Sequence, residues 1–273
     1  MKYGETCRGI FFKRPNRFIA QVLIDDEETT VHVKNTGRCK ELLVPGATVI
    51  LERAENPNRK TPYDLIAVYK GSAPVPADGE EAASGSAGVV SPGSAKAVDS
   101  GSAGVVSLGS GEEGTSGSFD FLINMDSQAP NKVVGEWLAG QGFDLVKPEY
   151  TYGKSRVDFY MERGGDRYLL EVKGCTLEID GIGFFPDAPT QRGVKHLNEL
   201  AGAIAQGYHC AVAFAIQMEG ITQVLPNVGT HPEFGEALAH AKEAGVEVLC
   251  LPCVVKEDEL AISSGVTWEN AVS

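Results

Sequence analysis

Arg156-Val157-Asp158-Phe159-Tyr160-Met161-Glu162-Arg163-Gly164-Gly165-Asp166-Arg167-Tyr168-Leu169-Leu170-Glu171-Val172-Lys173 is the stretch on which the reading of this chain turns. Apolar and aromatic runs on both sides of a Gly-Gly pair predict two antiparallel strands joined by a two-residue turn. With the turn centred on Gly164-Gly165, Arg163 faces Asp166, and stepping outward pair by pair sets Asp158 opposite Glu171. Alternation along a strand then puts Asp158 and Tyr160 on one face and Val157, Phe159 and Met161 on the other, with Leu169, Glu171 and Lys173 sharing a face of the second strand. Carboxylates at paired positions have Cβ atoms about 5 Å apart and repel unless a cation lies between them. A hard divalent ion, Mg2+ or Mn2+, held by Asp158 and Glu171, could activate a water for attack on a phosphodiester. Lys173 could steer that water or offset charge on the phosphate. The bland alternative is a solvated face on which Lys173 simply pairs Glu171. Tyr168-Leu169-Leu170 and Val172 argue against it, because they predict a strand buried on both sides, where unpaired charge is costly.

Outward from this hairpin the chain alternates strands and helices. A helix over Asn131 to Gly140 follows Pro130, and a second spans about Gly193 to Gln206, with Val194, Leu197, Leu200, Ala201 and Ile204 on one apolar face. Strands at Ile182 to Phe185, His209 to Ile216 and Val246 to Leu251, and a helix from near Pro232, complete a mixed sheet wrapped by helices. Arg192, Lys195 and His196 open the second helix, where they could meet a phosphate backbone or form an ordinary polar helix face. Lys154 and Arg156 flank the Asp158 strand and either neutralise its acids or contact nucleic acid.

The first 72 residues differ in kind. Strands at Phe18 to Ile24 and Thr29 to Val33 around the acidic turn Asp25-Asp26-Glu27-Glu28, then Ala47 to Leu51 and Asp64 to Tyr69, predict a small β-barrel, of which the oligonucleotide/oligosaccharide-binding (OB) type is one. Arg14, Arg17 and Arg38 could line its binding face. Phe18 could stack bases there, although a phenylalanine in a strand is more often core. Residues 73–118 are rich in Gly, Ser, Ala and Val and repeat Gly-Ser-Ala-Gly-Val-Val-Ser at 85–91 and 101–107, which predicts a flexible insertion without chemistry. The third part is 119–273.

The formal net charge of −13 argues against indiscriminate phosphate binding. Residues 1–72, however, carry twelve basic against nine acidic side chains, so contacts would come from clusters such as Lys13-Arg14-Pro15-Asn16-Arg17. The six cysteines are scattered and read as reduced thiols, with Cys250-Leu-Pro-Cys253 as buried strand-end residues more often than a redox or zinc motif. No run is apolar enough to span a bilayer and the start has no apolar export core, so a cytoplasmic location without membrane contact is expected. The sequence leaves homo-oligomerisation open.

An aspartate followed about a dozen residues later by Glu-x-Lys across a hairpin resembles the PD-(D/E)XK nuclease-like fold. More specifically, Arg17-Phe18-Ile19-Ala20, His32 to Arg38, Asp126-Ser127-Gln128-Ala129-Pro130-Asn131, Tyr152 to Phe159, Glu171-Val172-Lys173-Gly174 and the long Phe185 to Leu197 segment resemble the sugar fermentation stimulation protein A (SfsA) family. The resemblance covers nearly the whole chain apart from the insertion. It implies a mixed α/β chain with an OB-like barrel at 1–72 and a nuclease-like domain at 119–273, DNA or RNA as partner, and either nuclease activity or a DNA-binding role in regulating sugar use. Asp158, Glu171 and Lys173 match the family's acidic and lysine positions, and Glu136 on the preceding helix would be a further acid near the metal.

Overall fold

The computed structural model describes residues 1–35, 37–71 and 121–273, so the insertion expected at 73–118 lies outside the described residues. Five strands make the first layer: β1 (Thr6–Asn16), β2 (Ile19–Ile24), β3 (Glu27–Val33), β4 (Thr48–Arg53) and β5 (Tyr63–Lys70). Antiparallel pairs β3-β2-β1-β4-β5 form a curled sheet, and short parallel pairing of β3 with β5, His32 to Asp64 and Val33 to Leu65, closes it into an OB barrel. Ala20, Val22, Val31, Val33, Val49 and Leu51 alternate along their strands and fill the interior. β2 and β3 meet through a two-residue turn in which Asp25 and Asp26 both take left-handed φ, as a tight hairpin twisted with its strands requires. β1, which carries the basic cluster at its end, is a strand the sequence reading did not mark.

β6 (Phe121–Asn124) adds to β5 and leads into α1 (Ala129–Leu138), and β7 (Leu145–Tyr152), also unmarked in the sequence, precedes the hairpin β8 (Ser155–Arg163) and β9 (Asp166–Cys175). Then follow β10 (Leu177–Ile179), β11 (Ile182–Phe185), α2 (Gln191–Ile204), β12 (Tyr208–Ile216), β13 (Val224–Pro226), α3 (Pro232–Glu243), β14 (Glu247–Lys256), β15 (Glu259–Ile262) and α4 (Trp268–Ala271). The main sheet runs β15-β14-β12-β9-β8-β7, with β12 parallel to both β9 and β14, and β10-β11-β13 form a small second sheet. α2 and α3 cover one face of the main sheet through Leu197, Leu200, Phe234 and Leu238. α1 and α4 cover the other through Val134, Leu138 and Trp268. Cys250 and Cys253 fall on β14 and point into different cores, and burial pushes the Cys253 thiol up to about 12, so they are packing residues and not a thiol pair.

The two layers share a core. Cys175, Ile216, Met218 and Ile221 pack with the barrel interior residues, while Ile50 and Ile66 of the barrel pack with Ala129 and Val133 of α1. A buried polar network seals the joint. Asn124 Nδ2 donates to Tyr3 Oη at 2.8 Å, Gln217 Nε2 donates to Asn124 Oδ1 at 2.9 Å, and Lys34 Nζ meets the fully buried Asp126 at 3.1 Å. Gly174, next to Lys173, sits where a Cβ would come within 2.4 Å of Gln217 Oε1 and 2.8 Å of Pro130 Cγ. Gly174→Ala is therefore expected to cost about 1–3 kcal/mol, read as a lowered denaturation midpoint, because the clash involves packed groups on two sides.

Candidate metal and nucleic-acid site

The β8–β9 hairpin has the register its turn predicts: Gly164 and Gly165 both take left-handed φ, and the ladder runs from Arg163 opposite Asp166 to Phe159 opposite Leu170. One step further, at Asp158 and Glu171, it opens. Asp158 Oδ2 accepts the Val172 amide at 2.7 Å, the donor that continued pairing would have given to the Val157 carbonyl. Asn131 of α1 donates to Asp158 Oδ1 at 2.8 Å. Strict alternation fails here as a result. Val157 packs with Tyr160 under α2 and α3, while Phe159 and Met161 pack under α1, so Val157 is not on the Phe159 face that its sequence position predicted.

Glu171 is 3 % exposed in the centre of the sheet, beside Val212 of the parallel strand β12. Lys173 Nζ lies 2.5 Å from its Oε1, and His196 Nδ1 contacts the same oxygen from α2. Burial alone would raise the Glu171 carboxyl, but the His196 hydrogen bond and the Lys173 charge outweigh it and hold the group below its ordinary value. Asp158 goes the other way. Burial, reinforced by the charge of Glu171, lifts its carboxyl above the ordinary range against the opposing Val172 and Asn131 donors. The two acids thus feel each other, as the sequence predicted, but their charge is balanced by Lys173, His196, Asn131 and a backbone amide rather than being left to a cation. The pairing of Lys173 with Glu171 occurs in the interior and not on a solvated face.

A divalent ion suits this donor set. Mg2+ is typically held through one or two carboxylates while keeping several waters, and Asp158 and Glu171 supply two. A closed cage does not form: among the described residues no group of three His, Cys, Asp or Glu side chains is placed to hold a metal. Glu136 in particular does not join. It is exposed and pairs with the Met1 amine at 2.7 Å, because five residues of helix turn it about 140° away from Asn131.

The other basic candidates separate into bound and open groups. His196 is buried against Glu171, with Arg192 Nε 3.3 Å from its second ring nitrogen, so it supports the acid and does not face phosphate. Its spacing from Gly193, Leu200 and Ala203, all buried on the same helix face, was the signal for that role. Arg14 donates to the carbonyls of Arg17, Asn35, Gly37 and Arg38, which makes it a strut for the loop after β3 and not a phosphate contact. Arg156 pairs with Glu149 at 2.8 Å. Lys195 reaches Ser155 Oγ at 2.8 Å, which brings the exposed Lys154 turn beside the start of α2. Arg17, Arg38 and Lys40 are exposed around a hollow of about 450 Å³ on the barrel. Phe18 is 47 % exposed, with the Arg17 guanidinium 5.1 Å from its ring centre, and is not a core residue.

Asp64 anchors the same side of the barrel. It accepts from both Arg59 nitrogens, at 2.9 and 2.7 Å, and lies 2.8 Å from His32 Nδ1. Burial would raise its carboxyl, but Arg59 and His32 overcome this and keep it below the ordinary aspartate value. A carboxyl depressed on folding adds stability that is full above its unfolded pKa and is lost as pH falls through the folded one. Unfolding followed from pH 7 downward should therefore show an acid limb beginning below about pH 4 that is weaker in Asp64→Asn. An unchanged limb would remove Asp64 as its source.

Among the described residues no helix is long and apolar enough to cross a membrane. Residues 12–76 match the family described as SfsA N-terminal OB domain, and residues 128–259 match the sugar fermentation stimulation protein RE domain. The chain is 44 % identical over 270 residues to a sugar fermentation stimulation protein homolog of Desulfitobacterium hafniense strain DSM 10664 / DCB-2, covering 98 % of this chain and 97 % of the relative. It is also 44 % identical over 266 residues to the homolog of Clostridium beijerinckii, covering 96 % of each. Among solved structures, Pyrococcus furiosus SfsA in complex with Ca2+ superposes with a TM-score of 0.69 at 21 % identity, over 96 % of this chain and 95 % of that one. Barrel, hairpin and near full-length identity lead to the same place: the chain belongs to the sugar fermentation stimulation protein (SfsA) family.

Proposed function

We propose that this protein binds DNA or RNA and hydrolyses phosphodiester bonds with a divalent metal, acting in the cytoplasm. The observation that carries the proposal is the pair of carboxylates, half-buried Asp158 and buried Glu171, set beside Lys173 where the β8–β9 ladder opens. Lys173 and His196 both engage Oε1 of Glu171, leaving Oε2 for a cation. Asp158, whose charge is the less compensated of the two, gains most from one. The Ca2+ bound by the Pyrococcus furiosus relative supports a hard, oxygen-seeking ion, and Mg2+ or Mn2+ belong to the same class. Such an ion supplies a nucleophilic water and charge neutralisation at the phosphate. The chain's own part is to hold the two carboxylates, to keep Glu171 ionised through His196, and to place the Lys173 ammonium beside the reacting group. Exposed Arg17, Arg38, Lys40, Lys154, Arg192 and Lys195 supply phosphate contacts over an otherwise acidic surface.

Incubating the full chain with single- and double-stranded DNA and RNA, in Mn2+ or in chelator, tests this directly. Metal-dependent cleavage of at least one substrate is expected, and none with any of them would remove the catalytic reading. One observation favours a second reading, a non-catalytic DNA-binding regulator of sugar use: the acids are already compensated by protein groups. That reading predicts salt-sensitive binding that needs no metal and is indifferent to Glu171→Ala.

A further inference from the structure

Beside the arginine-lined hollow lies a second, smaller groove of about 240 Å³, between the end of β3 and the entry to α1. Phe18, His32, Lys34, Arg59, Ser127 and Gln128 line it. Its floor is fixed: Ser127 Oγ donates to the Lys34 carbonyl at 2.6 Å, Lys34 is tied to Glu52 and Asp126, and Arg59 is held by both oxygens of Asp64. Three groups along it can meet a ligand. Phe18 is exposed, a large apolar residue left partly in water with the Arg17 guanidinium over its ring. His32 has Nδ1 committed to Asp64, so Nε2 is its remaining polar atom, and the side chain is 36 % exposed. Gln128 is exposed at the rim.

The groove also has a direction. Arg17 lines the basic hollow and lies over Phe18, so hollow and groove join at that residue. At the other end, Gln128 is the residue before the first turn of α1, and Asn131 of that turn holds Asp158. Three residues of helix advance about 4.5 Å. The groove therefore ends roughly one helical turn from Asn131, the residue that holds Asp158. A flat aromatic, a hydrogen-bonding ring edge and an amide suit a nucleobase, whereas the cations of the hollow suit the phosphates that flank it.

We propose that this groove takes one unpaired nucleotide, its base stacked on Phe18 and met by His32 Nε2 and Gln128, which delivers the adjoining phosphodiester to Asp158 and Glu171. The assignment rests on the nuclease reading for its second half and selects single-stranded or frayed nucleic acid as substrate. A base inside a duplex has its pairing edge occupied and its faces stacked, and enters only at the cost of unpairing and unstacking it.

Fluorescence anisotropy of the full chain with labelled oligothymidylate, and with a duplex of the same length, tests the groove in chelator so that nothing is cleaved. Tighter binding of the single strand is expected. Phe18→Ala should weaken it about tenfold, Phe18→Trp should restore it, and neither should alter duplex binding. Phe18 is exposed, so these variants leave the core intact, and matching thermal melts check this. Equal affinity for the two forms, unchanged binding by Phe18→Ala, or no binding of either would overturn the assignment. The nuclease reading fails separately: if Phe18-dependent binding holds but Mn2+ produces no cleavage, the groove stands as a binding site alone. If cleavage proceeds equally well on duplex and in Phe18→Ala, the groove falls and the metal site remains.

Discussion

Asp158→Asn should abolish metal-dependent cleavage and at the same time make the metal-free protein more stable. Both halves follow from one fact, that burial and the neighbouring Glu171 lift the Asp158 carboxyl above its ordinary range. A group whose folded pKa is raised is harder to ionise in the folded chain than in the unfolded one, so at neutral pH its charge opposes folding. The neutral amide keeps an oxygen for the Val172 amide or Asn131 and removes the charge, so the melting temperature in chelator should rise. It also removes one of two anionic donors to a hard cation. The loss in cleavage rate should exceed about 100-fold, more than the 10–100-fold typical of residues that only orient a metal ligand. His196→Ala and Asn131→Ala belong in that lower range, since each acts through a carboxylate it holds. A variant that cleaves normally, or one that melts earlier than the parent without metal, would sink the assignment of Asp158.

The largest loss of stability is expected from Asp126→Ala. Asp126 is fully buried where the barrel meets the second layer, receiving Lys34 at 3.1 Å, the Gln128 amide at 2.9 Å and the Tyr3 hydroxyl at 3.4 Å. Removing one member of a buried ion pair leaves its partner's charge without compensation and typically costs about 3–5 kcal/mol. Glu52, 3.0 Å from Lys34, absorbs part of this, which places the expected loss toward the lower end of the range. Because the network joins two layers that also share apolar core, barrel and second layer should unfold together in a single denaturant transition, shifted to lower midpoint. A shift under 1 kcal/mol, or two separate transitions, would contradict this account of the joint.

How far the site could be read in advance depended on which interactions were local. The Gly164-Gly165 turn fixes its own register, so the approach of Asp158 to Glu171 was legible from spacing. What spacing could not show was that the ladder ends one pair early, because the Asp158 side chain itself takes the amide that would have extended it. The family resemblance implies Glu136 as a further acid near the metal, and helical rotation turns it toward the Met1 amine instead. Arg14 read as a surface cation, but its partners are carbonyls of residues 17 to 38, reached only once the barrel has closed. Phe18 reads from sequence as core or as a stacking platform, with core the commoner role of a strand phenylalanine, and the fold leaves it exposed.

The sequence by itself determined many of the elements: apolar alternation in barrel strands β2 to β5 and the main hairpin, the turns that pair them, and the apolar faces of α1 and α2. These depend on periods of two and 3.6 residues, which a linear string records directly. Only the tertiary structure decided the roles of the charged groups. It placed His196 on Glu171, Asn131 on Asp158 and Lys34 on Asp126, across separations of 25, 27 and 92 residues. The energy of a charge depends on how deeply it is buried and on what opposes it in space, and neither is encoded at the position where the residue is written.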